Sequence, residues 1–340
     1  MELNERKKKI LAAIVESYIR NGEPVGSKTL LEKLNIPVSS ATIRNDMAEL
    51  SSMGLLEQPH TSAGRIPSNA GYRYYVDHLM SRAEPDENLR KLIESKMSTE
   101  NTEPEKVLEN AGEVLADITN CTAVSTTPDG ESSRIRRVEI IPIGTRTVML
   151  VLLTSTGILK SKLCRAESEI TPDIIEGFYN LTSAKLVGTL ISDISIVTMQ
   201  TLAASVGING LAMLPLLAGI AELAAQATQT DIMLEGQSNL LNHRELEENA
   251  YELMEFLKKS EALGQLISSS KNNIKVLIGN ENRYPQLKNS SIILARYKIN
   301  DDSGTIGLIG PTRIDYAKLI PSVKYLTDLV GRLLTQALDE

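Results

Sequence analysis

The chain has 340 residues, enough for two domains, or for three if one is small. At 42% hydrophobic and 23% charged it sits near the average of globular chains, which excludes wholesale disorder and allows a large buried core. Thirty-six basic against 43 acidic residues leave a net charge of −7, which over the whole chain argues against a nucleic-acid partner.

The N-terminal run Arg6-Lys7-Lys8-Lys9 leads into an amphipathic stretch without a cleavage site, so it is not read as a secretory signal. Apolar residues at Ile10, Leu11, Ile14, Val15, Tyr18 and Ile19 mark one face of a helix over 3–20, stopped by Asn21-Gly22. Ser27 is placed to cap a second helix, Lys28 to Leu34, with Leu30, Leu31 and Leu34 as its stripe. After Asn35-Ile36-Pro37-Val38, Ser39 caps a third helix reaching Met53, with Ile43, Met47 and Leu50 inward and Gly54 as its stop. Leu55–Gln58 and Gly64–Ile66 read as two short strands around Pro59-His60-Thr61-Ser62-Ala63, bounded by Pro59 and Pro67. Tyr72, Tyr75, Val76, Leu79 and Met80 give a fourth helical stripe.

Ala83-Glu84-Pro85-Asp86-Glu87 is a polar break, taken as a linker. Helices are expected over 89–97 and 105–118, then a strand at 123–126 and a turn at Asp129-Gly130. Arg134–Pro142, Arg146–Leu153 and Gly157–Cys164 suggest a three-stranded antiparallel meander, followed by helices near 173–184, 189–205 and 214–228. Thr171-Pro172 supplies the first of these helices with a cap and an N1 proline. The longest apolar run, Gly210–Ala221, is twelve residues with Pro215 inside it. A membrane span needs roughly 18, so no membrane segment is expected and the chain is placed in the cytoplasm. Strands at 274–278, 291–297 and 304–309 follow, the last two joined by Asn300-Asp301-Asp302-Ser303. A final helix carries Leu319, Val323, Leu326, Val330, Leu333 and Ala337, and Pro321 should kink it or delay its start. Cys121 and Cys164 have no Cys or His neighbours and read as buried free thiols.

Helix, helix, turn, helix, two-stranded wing and helix is the layout of a winged helix-turn-helix, whose third helix enters the major groove. With Ile43, Met47 and Leu50 inward, Ala41, Arg44, Asn45 and Ala48 lie on the opposite face, and Ser40 and Thr42 flank them. Arg reads guanine and Asn reads adenine bidentately, while Ala and Thr suit a thymine methyl and a close approach. Arg65, Thr61 and Ser62 in the wing suit the backbone or the minor groove, and His60 suits a phosphate. Ser27 and Lys28 open the second helix, where backbone N–H groups and a cation favour phosphate. The charge is uneven along the chain. Residues 1–82 hold eleven basic and nine acidic residues, the remainder 25 and 34. A balance of +2 is weak for one DNA-binding module, so two copies on a two-fold symmetric site are expected.

Enzymatic activity finds no support: His60, His78 and His243 are scattered, and there is no nucleophile motif, P-loop, dinucleotide fingerprint, metal cluster or cofactor box. Gly307–Arg313 lacks the Lys-Ser/Thr of a phosphate loop, and Arg313 is expected in a structural ion pair. Asn280-Glu281-Asn282 is expected to form turn and strand-end hydrogen bonds. Part of the apolar surface around Ala212–Ala224 is expected at a dimer interface.

Ala41-Thr42-Ile43-Arg44-Asn45-Asp46-Met47, then Leu56-Glu57-Gln58-Pro59-His60-Thr61-Ser62-Ala63-Gly64-Arg65-Ile66-Pro67, then Gly71-Tyr72-Arg73-Tyr74-Tyr75-Val76-Asp77 closely resemble the heat-inducible transcription repressor HrcA family. Ile278–Asn282 and Gly304–Tyr316 resemble it as well. The resemblance implies an α+β multidomain chain: a winged helix-turn-helix at 1–82, a GAF-like domain at 83–129 and 231–340, and an inserted α+β dimerisation domain at 130–230. It also implies a homodimer on an inverted-repeat operator of chaperone operons, with activity dependent on the GroEL chaperonin. The competing reading is a winged-helix regulator gated by a small molecule in the GAF-like domain.

Overall fold

The computed structural model describes residues 3–34, 37–60, 63–81, 84–97, 103–268, 273–300 and 302–339. Thr61, Ser62, Asn35, Ile36, Ala83 and Asp301 lie outside these residues.

Helix α1 (Glu5–Asn21) starts at Asn4, whose side chain accepts from the Lys7 N–H at 2.9 Å, and ends where Gly22, at φ 71°, donates to the Tyr18 carbonyl at 2.8 Å. α2 (Ser27–Leu34) includes Ser27 as its first residue instead of using it as a cap. α3 (Ser40–Ser52) is capped by Ser39, whose hydroxyl accepts from the Thr42 N–H at 3.1 Å. The wing is shorter than expected and shifted along the chain. β1 (Leu56–Glu57) pairs with β2 (Ile66–Pro67), so Pro67 belongs to the second strand and does not bound it. Val25 adds a third edge, exchanging two 2.9 Å backbone bonds with Arg65. This close approach requires glycine at 64, where a Cβ would lie 2.4 Å from the Val25 oxygen. The fourth stripe divides into α4 (Asn69–Tyr74) and a π-helical turn, Tyr75–Leu79, closed by the Met80 N–H on the Tyr75 carbonyl.

After α5 (Glu87–Met97) and α6 (Pro104–Thr119), β3 (Thr122–Thr126) enters a five-stranded antiparallel sheet. Its other strands are β7 (Ile232–Glu235), β8 (Ile274–Ile278), β9 (Ser290–Ile299) and β10 (Asp302–Pro311), in the order β7-β3-β10-β9-β8. Alternate residues of β9 serve opposite faces. Ile293, Ala295 and Tyr297 join a core with α6 and α12 (Tyr316–Asp339), whereas Ile292 and Leu294 join one with α10 (Ala250–Leu257) and α11 (Ser260–Ser268). Both faces being covered, these strands read as apolar runs. β7, α10 and α11 had no sequence signal: β7 is four half-buried residues, and the two helices are short. α12 begins at Tyr316 without the delay expected from Pro321, which lies inside it, and its buried stripe runs through Val330 to Leu334, not Leu333.

Between β3 and β7, β4 (Ile135–Pro142), β5 (Thr147–Thr154) and β6 (Leu159–Arg165) form the expected meander. α7 (Pro172–Lys185), α8 (Ile196–Ser205) and α9 (Ile208–Ala227) pack on one of its faces around a separate core containing Phe178, Leu150 and Leu217. α8 starts later than expected because residues 189–194 are tied to the meander, with the Ile191 N–H on the Ser133 carbonyl at 2.9 Å; Ser195 then caps the helix. α9 starts earlier than expected and accommodates Pro215. By length and composition it could cross a membrane, although 56% of its apolar window is buried in the fold. Within 212–224, Met213, Leu216, Leu217, Ile220, Leu223 and Ala224 are enclosed by their own chain, whereas Ala212, Leu214, Pro215 and Ala218 are only half-buried. Exposed apolar residues of this block lie on and beside the meander, where Ile141, Ile143, Leu159 and Leu163 are 41–63% exposed, and also on the helical side at Val187, Ile196, Val197 and Leu211. Cys121 and Cys164 are free and buried, and burial pushes the Cys121 thiol up to about 11.

Candidate nucleic-acid interface

The third helix presents the predicted face. Ala41, Arg44, Asn45 and Ala48 are exposed and Thr42 is half-buried, while Ile43, Met47 and Leu50 are buried. The unforeseen member is Asp46, which is also buried. Its two oxygens accept from Arg6 Nε at 2.7 Å and Nη2 at 3.0 Å, and Lys7 pairs with Glu49. Part of the basic N-terminal run therefore fastens α3 to α1. One signal could have revealed this contact: an acid at 46 falls on the stripe of 43, 47 and 50, and a buried carboxylate requires a partner.

Ser27 and Ser40 meet at 3.0 Å between their hydroxyls, so the first turns of α2 and α3 are joined. Ser27 is buried there, whereas Lys28 is exposed. In the wing His60 is exposed and its carbonyl accepts from the Ala63 N–H at 2.9 Å; Thr61 and Ser62 lie outside the described residues. Arg65 Nη1 donates to Gln58 Oε1 at 2.6 Å, and Gln58 Nε2 donates to the Ala63 carbonyl at 3.1 Å. Gln58 thus braces both sides of the wing, a role that local sequence did not reveal.

The winged domain rests on the body through polar clamps. Arg73 Nε donates to Glu281 Oε1 at 2.8 Å and Nη2 to the Val276 carbonyl at 2.7 Å. Arg313 Nη1 donates to the Ile19 carbonyl at 2.9 Å, and its guanidinium pairs with Glu245, the expected ion pair. Burial pushes the Glu245 carboxyl up, but the hydrogen bond and charge of Arg313 outweigh it and leave it below its ordinary value. Between these clamps the rings of Tyr72 and Tyr316 meet tilted at 52°, with centroids 5.7 Å apart; burial raises both phenols well above their ordinary range, and the nearby Tyr316 adds to the rise at Tyr72. Asn282 serves the expected turn, its Nδ2 donating to the carbonyls of Gly279, Leu287 and Ser290. Glu281, expected in the same turn, also reaches across to the winged domain. Among the described residues no three His, Cys, Asp or Glu side chains gather as a metal site.

Residues 2–77 match the family profile described as the winged helix-turn-helix transcription repressor, HrcA DNA-binding, and residues 105–320 match the HrcA protein C-terminal domain. The chain belongs to the HrcA family. It is 37% identical to the heat-inducible transcription repressor HrcA of Ruminiclostridium cellulolyticum, over 100% of this chain and 99% of that protein. It is 39% identical to the protein of that name from Clostridium botulinum, over 98% of each. A solved structure described as the crystal structure of a hypothetical protein at 2.2 Å resolution superposes with a TM-score of 0.67 at 27% identity, covering 99% of this chain and 100% of that one. Membership makes this HrcA-family chain a transcription repressor with a winged helix-turn-helix DNA-binding domain.

Proposed function

We propose that the protein represses chaperone operons of the groE and dnaK type by binding an inverted-repeat operator as a homodimer in the cytoplasm, with activity maintained by the GroEL chaperonin. The observation that carries the DNA contact is the exposed Arg44 and Asn45 on a helix whose opposite side is locked by Ile43, Met47, Leu50 and Asp46. In this reading Arg44 and Asn45 read bases, with Ala41 and Thr42 at thymine methyls. Lys28, Arg65, His60, Thr61 and Ser62 hold phosphates, and Ser27 with Ser40 sets the first turns of the two helices. The domain scheme is a winged helix at 1–82, a GAF-like domain at 83–129 and 231–340, and an inserted dimerisation domain at 130–230. The separate core of the meander block supports the insertion. Its exposed sheet face supports self-association: cross-strand neighbours Ile141, Met149 and Leu163 are not buried by their own chain. Chaperonin dependence rests on family resemblance.

An electrophoretic shift with an inverted-repeat duplex, with and without chaperonin, tests the proposal. A specific shift that chaperonin strengthens is the expected result; no specific shift under either condition overturns it. Arg44→Ala should relax specificity at one base position by about 1–3 kcal/mol. Lys28→Ala should weaken all sequences alike and lower the salt slope by about 1.

A further inference from the structure

We propose that the cleft between β9 and α12 binds a phosphate-bearing small molecule of nucleotide type, whose body reaches the winged domain. This goes beyond the repressor reading and does not depend on it.

The cleft is a cavity of about 1100 Å³, just above the usual range for small-molecule sites. Its lining includes Lys298 of β9 and Lys324 and Arg332 of α12, and among the described residues none of these three makes an ion pair. Lys324, Asp328 and Arg332 follow one another at four-residue intervals on one helix face, so the two cations flank the only acid lining the cavity among the described residues. Arg296 also lines the cavity and donates to the Ser303 hydroxyl. This cluster occurs in the part of the chain after residue 82, where acids outnumber bases 34 to 25. The three cations Lys298, Lys324 and Arg332 around one cavity repel one another, and an anion seated among them converts that repulsion into attraction.

The walls are rigid. Tyr297 is buried and its hydroxyl donates to the Thr126 carbonyl at 2.6 Å. Gly331 lets α12 approach β9 so closely that a Cβ there would lie 2.9 Å from the Lys298 oxygen. A second cavity of about 590 Å³ shares Ile274, Lys324 and Asp328 with the first, so the two are adjacent. It is walled by Val76 and Met80 of the winged domain and by Ile320, Pro321 and Tyr325 of α12. Phosphates at Lys324 and Arg332 would leave a flat, partly apolar body among these side chains, in contact with both domains. Occupancy would therefore strengthen the seating of the winged domain on the body.

Calorimetric titration of the full chain with ADP, inorganic pyrophosphate and adenosine tests this. The expected result is that ADP binds most tightly, pyrophosphate more weakly and adenosine not measurably. The Lys324→Gln/Arg332→Gln double variant should weaken ADP binding about tenfold or more, whereas Lys106→Gln, at an exposed ion pair on α6, should leave it unchanged. Both altered side chains are exposed, and an unchanged circular dichroism melt certifies the fold of the variant. No binding of ADP, adenosine or pyrophosphate binding as tightly as ADP, or undiminished ADP binding by the double variant would each overturn the proposal. Operator binding measured without any of these probes judges the repressor reading separately.

Discussion

Replacing Gly64 by Ala should damage the wing far more than its small size suggests. A Cβ at 64 would stand 2.4 Å from the Val25 oxygen, 2.5 Å from the Val25 carbonyl carbon and 2.9 Å from the Pro24 carbonyl carbon. All three are backbone atoms, so no side chain can swing aside. Relief requires Val25 and Arg65 to separate, which breaks their two 2.9 Å hydrogen bonds. At about 0.5–1.5 kcal/mol each, the loss is roughly 1–3 kcal/mol. Arg65 moves with its backbone, so DNA affinity should fall as well, evenly across sequences. Gly26 in the same turn is the control: nothing lies within 4 Å of a Cβ there and its φ is not positive. Gly26→Ala meets no clash, and because Gly26 is the N-cap of α2, with its carbonyl accepting from the Leu30 N–H, it should cost less than about 1 kcal/mol. Thermal melts followed by circular dichroism, with operator titrations on the same samples, read both effects. Equal melting temperatures for the two variants would refute the packing argument.

Arg73→Gln removes the bidentate contact with Glu281 and the bond to the Val276 carbonyl. Because Glu281 is about a third exposed, the expected loss of docking energy is only about 1–2 kcal/mol, seen as faster hydrogen exchange in β8 and the π-helical turn. Glu245 has a folded-state value below the unfolded one of about 4.3, so its contribution is full above that pH and is lost as pH falls through the lower folded value. Acid melts should accordingly show the parent losing more stability than Glu245→Gln between about pH 5 and pH 3; identical pH profiles would contradict this. Met149→Glu on the open meander face should shift sedimentation from dimer to monomer, leaving the Phe178 core intact.

The sequence by itself determined the winged helix-turn-helix and which face of α3 is exposed. Local signals suffice for that: a periodic stripe fixes which side of α3 is buried, and Ser39 and Gly22 mark helix ends where they occur. It also yielded the three-stranded meander and the strands β8 to β10, whose apolar or alternating runs are long enough to register. What it could not supply were contacts between residues far apart in the chain. Asp46 with Arg6, Arg73 with Glu281 and Arg313 with Ile19 join positions whose spacing carries no periodic signal. Short β7, α10 and α11 gain their place only from the sheet they cover, and Pro321 is tolerated because packing of the α12 stripe outweighs one missing N–H. Tertiary structure also sorted apolar surface, burying Leu216, Leu217, Ile220 and Leu223 of α9 while leaving Leu211 and the outer meander face open. Hydrophobicity is a property of a residue, but exposure is decided by the partners that folding brings to it.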